Sequence, residues 1–346
     1  MVYSTTSPTS IQAGGNGFGM VLNQGIFWVI SLFIIALLYR IRLGFLKKGG
    51  ILTIVIFAEI ILLLLSRFIT GTINGAHGWL KLGAFSIQPA EYLKIILVWY
   101  LAFRFTKRQE EIKVYDYQAL THNHWFPKAF NDWRTMVAIL IGIVAIMPDL
   151  GNATILFLTV VIMIAVSGIG YRWFSTMLGA IVSVSSLVLA SIWVIGVERV
   201  AKIPVFGYVA KRFSAFFNPF KDLSGSGHQL ANSYYAMSNG GWFGLGLGNS
   251  IEKRGYLPEA HTDFVFSIVI EEFGFFGASL ILALLFFLIL RIILVGIRAK
   301  NPFNSMMALG IGGMILMQTF INIGGISGLI PSTGVTFPFL LSLIHI

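Results

Sequence analysis

The sequence predicts an all-α polytopic membrane protein, and three observations carry that prediction. Of its 346 residues, 56% are hydrophobic and 11% charged, and the mean hydropathy is +0.83, outside the range of ordinary soluble domains. A membrane helix needs about 20 apolar residues, and eight candidate stretches, several of them longer or shorter than that, recur at 24–41, 51–70, 89–105, 133–148, 151–169, 174–196, 264–295 and 304–323. Lys and Arg gather in alternate connections between them.

That alternation sets an orientation. With the N-terminus outside, the connections 40–50, 104–134, 171–172 and 291–302 face the cytoplasm and hold 14 of the 24 basic residues, as the positive-inside rule requires. The formal net charge of +10 then reflects topology and attraction to anionic lipid, with no nucleic-acid signal. The exception is the outside segment 197–262, with Arg199, Lys202, Lys211, Arg212, Lys221, Lys253 and Arg254; long loops escape the rule. Its charge suits an anionic head group, or is solvated charge beside lipid phosphates. The chain has no cysteine, which excludes disulfide and thiol chemistry. It shows no cleavable signal peptide, P-loop, zinc motif or dinucleotide fingerprint.

Taken in order, the N-terminal MVYSTTSPTSIQAGGNGF is polar and Gly- and Ser-rich and reads as a loop. Two apolar segments follow, and Glu59 within the second reads as a packing partner. In NGAHGWLKLGAFSIQPAEYLK, Pro89 suits the first position of a helix after Gln88, because its missing N–H costs nothing there. Glu91 and Lys94, three apart, share one face. They are either a dipole-stabilised ion pair or part of a site below a loop carrying His77, Trp79 and Lys81; Trp79 equally suits an interfacial belt. The polar segment 106–133 carries no catalytic pattern. Pro148 then breaks a helix, and Asp149 caps the next one or joins a site. VAKRFSAFFNPF interleaves basic and aromatic residues like a helix lying on a membrane surface. A Gly-rich stretch, HQLANSYYAMSNGGWFGLGLGNS, permits close backbone approach.

The last outside stretch, YLPEAHTDFVFSIVIEEFG, brings Glu259, His261 and Asp263 to the mouth of an apolar run with Glu271 and Glu272 two turns further in. An unpaired charge there costs roughly 2.5–3.5 kcal/mol on insertion scales, so these acids need partners or a chemical role. Thr262 or Asp263 as an N-cap explains one of them. A carboxylate at the water-facing end of a membrane helix can meet an aqueous hydroxyl while that substrate's lipid tail stays in the bilayer.

These motifs, with PDLGNATI and ISGLIPSTGVTFPF, resemble the SEDS family (shape, elongation, division and sporulation) over essentially residues 1–340. Their wording is closest to the division branch, with the elongation branch a near relative. The resemblance implies a single ten-helix transmembrane domain, of which eight helices are present, and a peptidoglycan glycosyltransferase that polymerises lipid II at the outer face of the cytoplasmic membrane, at the division septum. It implies a class B penicillin-binding protein as transpeptidase partner, alongside other divisome membrane proteins. The family's essential aspartate falls on Asp263, and its polar cavity on Glu91 and Lys94, with Gln88 and Trp79 nearby. The chain departs from the family's pattern at His77, Gly78 and Met147. It also lacks the family's first and last helices, so as given it is expected to be inactive. Leu341–Ile346 are expected to be non-native, because a transposon-adapter sequence used in library preparation translates to LSLIHI.

The reaction the resemblance implies joins the C4 hydroxyl of one disaccharide to C1 of another and expels a lipid pyrophosphate. Asp263 is the expected general base. Positive charge for the pyrophosphate would come from Lys94, Lys253 or Arg254, or from a divalent cation such as Mg or Mn. The rival functions are a lipid II flippase with Glu91, Lys94 and Glu271 as a proton relay, and a noncatalytic scaffold.

Overall fold

A chain this apolar satisfies its backbone in lipid by forming helices. The computed structural model describes residues 4, 19–40, 43–68, 78–82, 85–121, 132–196, 207–221, 223, 225, 227–258, 260 and 262–340. His77, Glu259, His261 and the segment 341–346 lie outside them. The long helices are α1 (Gly19–Arg40), α2 (Gly49–Phe68), α3 (Pro89–Thr106), α6 (Trp133–Ile146), α7 (Leu150–Val166), α8 (Tyr171–Ile195), α11 (Val265–Arg298) and α12 (Pro302–Ile326). They coincide with the eight apolar stretches to within a few residues. Among them Gly49–Phe68, Val265–Arg298 and Pro302–Ile326 are long and apolar enough to cross a membrane. A short antiparallel hairpin, β1 (Leu80–Leu82) with β2 (Phe85–Ile87), precedes α3.

The chain forms two compact units. Among the described residues, one comprises those within 24–175 and 287–317; the other comprises those within 1–23, 176–286 and 318–340. In the first, α2, α3, α6 and α7 pack against one another. Helix α3 is the central member: Leu93, Leu97, Val98, Leu101, Ala102 and Phe105 are fully buried along it. Ile54, Phe57 and Ile61 of α2 are exposed, as suits a surface whose solvent is hydrocarbon. The short helices α4 (Gln109–Tyr115) and α5 (Tyr117–Leu120) follow α3 in this unit. Arg108 holds the carbonyls of Ala119 and Leu120 at 2.9 and 3.1 Å, and the Asp116 carboxylate accepts from the Gly170 N–H at 2.7 Å.

The second unit contains α9 (Gly207–Phe217), α10 (His228–Gly240), a 3₁₀ turn at Glu252–Arg254 and the first part of α11. Here the long apolar stretch is not one uninterrupted helix: α11 breaks at Gly274, which sits at φ 69° and ψ −176°, a conformation that only glycine adopts readily. The Gly-rich segment after α10 repairs the break. The N–H groups of Leu245 and Gly246 donate to the carbonyls of Glu271 and Glu272 at 2.9 and 3.0 Å, and the carbonyls of Gly241 and Trp242 accept from Phe275 and Phe276 at 2.9 and 3.2 Å. The fit leaves no room for a side chain: a β-carbon on Gly274 would lie 2.4 Å from the Gly244 nitrogen.

Candidate active site

Two polar clusters emerge in the unit built on α11, and they differ in what they leave accessible. The deeper one surrounds Glu271 and Glu272, both at most 1% exposed. Glu271 accepts hydrogen bonds from the Ser250 hydroxyl, from Asn239 at 3.2 Å, and from the N–H groups of Ile251 and Glu252 at 3.1 and 3.4 Å. Glu272 accepts from the Ser4 hydroxyl and pairs with the Lys253 ammonium at 2.6 Å; Lys253 also donates to Ser4 at 2.7 Å. The two glutamates fasten the 250–254 segment to the bent helix. Lys253 is therefore engaged as a buried counter-ion, whereas Arg254 is exposed. Burial, reinforced by the nearby Glu271 charge, pushes the Glu252 carboxyl above its ordinary range, and among the described residues its Oε2 has no hydrogen-bond partner.

The shallower cluster surrounds Asp263, which is half-buried just before α11 begins. Its backbone carbonyl is held by Asn322 at 2.7 Å, and Asn322 also donates to the Val335 carbonyl at 2.6 Å. Asp263 lines a pocket whose walls include Arg212, Gln229, Asn322, Ser332 and Thr333. Arg212 donates from Nη1 to the Ser332 carbonyl. Gly334, at φ +74°, adjoins both charged groups: a β-carbon there would lie 3.0 Å from Arg212 Nη2 and 3.2 Å from Asp263 Oδ2. A side chain at this position would crowd both groups.

The remaining candidates lie in the other unit. Helix α3 starts at Pro89, as expected, and its first-turn Glu91 pairs with Lys94 at 2.7 Å, with Lys94 2% exposed. Asp149 caps α7, accepting from the Asn152 N–H at 3.1 Å, and it also receives Gln88 Nε2 at 3.0 Å. Trp79 is buried. A β-carbon on Gly78 would lie 3.9 Å from Met147 Cε and 4.0 Å from Gln88 Nε2, so Gly78 and Met147, two positions at which the chain departs from the family's pattern, are neighbours, and Gly78 also adjoins Gln88. Among the described residues no three His, Cys, Asp or Glu side chains gather as metal ligands, so they make no ready protein cage for a divalent cation.

Sequence reasoning missed Arg212, Gln229, Asn322, Ser332 and Gly334 as companions of Asp263. The available signal was polar residues in otherwise apolar surroundings, such as the Asn within FINIGG and the Ser-Thr-Gly after Pro331.

The known proteins that this chain resembles agree with one another. It is 47% identical to "Probable peptidoglycan glycosyltransferase FtsW" of Lactococcus lactis subsp. lactis (strain IL1403), over 98% of this chain and 83% of that protein. It is 37% identical to the protein of the same name from Bacillus subtilis (strain 168), over 98% of this chain and 81% of that one. The fold matches a chain from a structure described as "Structural coordination of polymerization and crosslinking by a peptidoglycan synthase complex", with TM-score 0.69, 24% identity and coverage of 99% of this chain and 90% of that one. It also matches the Thermus thermophilus rod shape determining protein RodA, with TM-score 0.58, 22% identity and coverage of 99% and 86%. The family profile FTSW_RODA_SPOVE, described as "Cell cycle protein", matches residues 1–342, and the chain belongs to that family.

Proposed function

We propose that this chain polymerises lipid II into β-1,4-linked glycan at the outer face of the cytoplasmic membrane, with Asp263 as general base. The chain is a peptidoglycan glycosyltransferase of the division type, a multi-pass membrane enzyme of cell wall synthesis, as its relatives' names and its helices support. The single observation that carries the finer reading is the contrast among the acids of α11 and its approach. Glu271 and Glu272 are almost fully buried among polar partners, whereas Asp263 is half-buried and lines a pocket that Arg212 also lines.

The acceptor's C4 hydroxyl is a poor nucleophile at neutral pH, so a carboxylate within hydrogen-bond reach must take its proton as the bond to C1 forms. The bond from C1 to the pyrophosphate oxygen breaks in the same displacement, and its electron pair leaves with the lipid pyrophosphate. An α-linked donor and a β-linked product require one inversion and no covalent enzyme intermediate, by analogy with inverting glycosidases. In this reading Glu91 and Lys94 are polar-cavity residues, and Gln88 and Asp149 are further substrate-binding candidates. The enzyme works beside a class B penicillin-binding protein at the septum, a pairing supported by its likeness to a chain of a synthase complex in which polymerization and crosslinking are coordinated.

The flippase reading loses support because Glu271 is already bonded to a side-chain hydroxyl, an amide and two backbone N–H groups, an unfavourable start for a proton relay. The test is polymerisation of fluorescent lipid II by the purified full-length protein with its transpeptidase partner. Asp263→Asn is expected to insert normally and make no glycan. Long chains from that variant would overturn the assignment of the base.

A further inference from the structure

We propose that Asn322 is a positioning residue for glycan polymerisation, holding the backbone of Asp263 so that its carboxylate is correctly placed at the pocket. This role rests on the glycosyltransferase reading above, in which Asp263 is the general base, and adds to it the group that places that base. Asn322 lies among apolar residues and glycines in FINIGGI near the end of α12. It is 4% exposed, so each polar atom of its side chain must find a partner or stand as a destabilising unpaired group. Nδ2 finds two, the Asp263 carbonyl at 2.7 Å and the Val335 carbonyl at 2.6 Å. Both are acceptors, which turns the nitrogen toward them and engages both of its hydrogens. Oδ1 is buried and has no hydrogen-bond partner among the described residues. An apolar side chain here would avoid that unpaired acceptor, and what it would give up is the pair of bonds.

Those bonds tie together two parts of one site. Asp263, Asn322 and residues 332–335 line the same pocket, and a β-carbon on Gly334 would lie 3.2 Å from Asp263 Oδ2, so the 332–335 segment runs against the carboxylate itself. A single amide therefore fixes the peptide of the base and the backbone beside it. Gln318, one turn earlier on the same face of α12, holds the next residue, donating to the carbonyl and hydroxyl of Thr336 at 3.0 and 3.3 Å. Phe337 stacks on Phe266 of α11 with ring centroids 4.7 Å apart. The carbonyl carbon of Asp263 is bonded to its Cα, so holding that carbonyl sets the direction of the Cα–Cβ bond and the reach of the carboxylate. A general base must lie within hydrogen-bond reach of the hydroxyl it deprotonates, and a misplacement of about 1 Å can cost about 10²-fold in rate.

The test measures kcat and KM separately for lipid II polymerisation by the full-length protein beside its transpeptidase, below the melting temperature of each variant. Asn322→Ala releases both carbonyls and should lower kcat about 10- to 100-fold while leaving KM within about threefold of the wild type. Asn322→Ser keeps one hydroxyl donor, should lose less, and is the deciding variant if Asn322→Ala does not fold. Asp263→Glu displaces the carboxylate by one methylene, so its loss and that of Asn322→Ala should combine less than additively; where Asp263→Glu retains no rate, the kcat of the Asn322 variant decides. Wild-type kcat in Asn322→Ala, or in Asn322→Ser where only that variant folds, overturns the proposal. So does a rise in KM alone, which marks substrate binding, and so do additive losses, which mark an effect independent of the carboxylate. With Asp263→Asn silent, each of these results leaves the base in place. Glycan synthesis by Asp263→Asn overturns the base, and with it this role for Asn322.

Discussion

Asp263 and the Glu271–Glu272 pair lie within ten residues of each other in sequence, yet they solve opposite problems. The glutamates are almost completely withdrawn from solvent, and a lysine, serines, an asparagine and backbone N–H groups surround them. Their charge is consumed in holding the 250–254 segment against the bent helix. Asp263 is fixed through its backbone carbonyl, and its residue lines a pocket. Charge in an apolar protein therefore marks either a joint or, as proposed for Asp263, a reactive group, and the two regions differ in how far the acid is withdrawn from solvent.

The strongest way to break this comparison is to neutralise Asp263. Removing a general base is worth about 10²- to 10⁴-fold in rate, and Asp263→Asn should lose at least that much polymerisation with an unchanged melting temperature. Neutralising the joint should do the reverse. Glu272→Gln leaves the Lys253 ammonium buried without its counter-ion and should cost about 3–5 kcal/mol of stability. Replacing both partners with Met should recover much of that loss, which denaturant titration in detergent can measure. Gly274→Ala forces an alanine into a glycine-only conformation at a cost of about 1–3 kcal/mol. The clash with Gly244 adds to that, so low accumulation in membranes is the expected readout.

Two smaller effects sharpen the contrast. Asp149→Ala removes the cap of α7 and should cost about 1 kcal/mol of stability. Glu252 supplies the pH test. Its carboxyl is raised in the folded protein, mainly by burial, so the folded state binds a proton that the unfolded chain has released. The stability tied to that proton is present below the ordinary carboxylate value of 4.5 and is lost as pH rises through the raised one. Relative to the wild type, Glu252→Gln should gain melting temperature across that window and little below it.

Much of this architecture was legible in the sequence. Hydrophobic length placed the eight long helices, and Pro89 marked the start of α3. Asp149 capped its helix as its side chain allows. What stayed hidden were the non-local pairings. Apart from Glu271, Glu272, Arg291 and two serines the run from Phe264 to Ile293 is apolar on both sides of Gly274, so hydropathy reads one span there and not a break, and only the Gly-rich partner segment makes the break tolerable. Lys253 was a natural candidate for phosphate until its pairing with Glu272, 19 residues away, came into view. Arg212 sat in a pattern of basic and aromatic residues that signals a membrane surface, and no local periodicity shows that its guanidinium meets a carbonyl 120 residues later.

Chemistry and architecture should come apart cleanly within this one region. The most direct measurement pairs lipid II polymerisation with thermal melting for Asp263→Asn and Glu272→Gln in the full-length protein beside its transpeptidase. The expected result is a stable, silent Asp263→Asn protein and a destabilised Glu272→Gln protein that still makes glycan at temperatures where it stays folded. Glycan chains of normal length from Asp263→Asn would contradict the role given to that carboxylate.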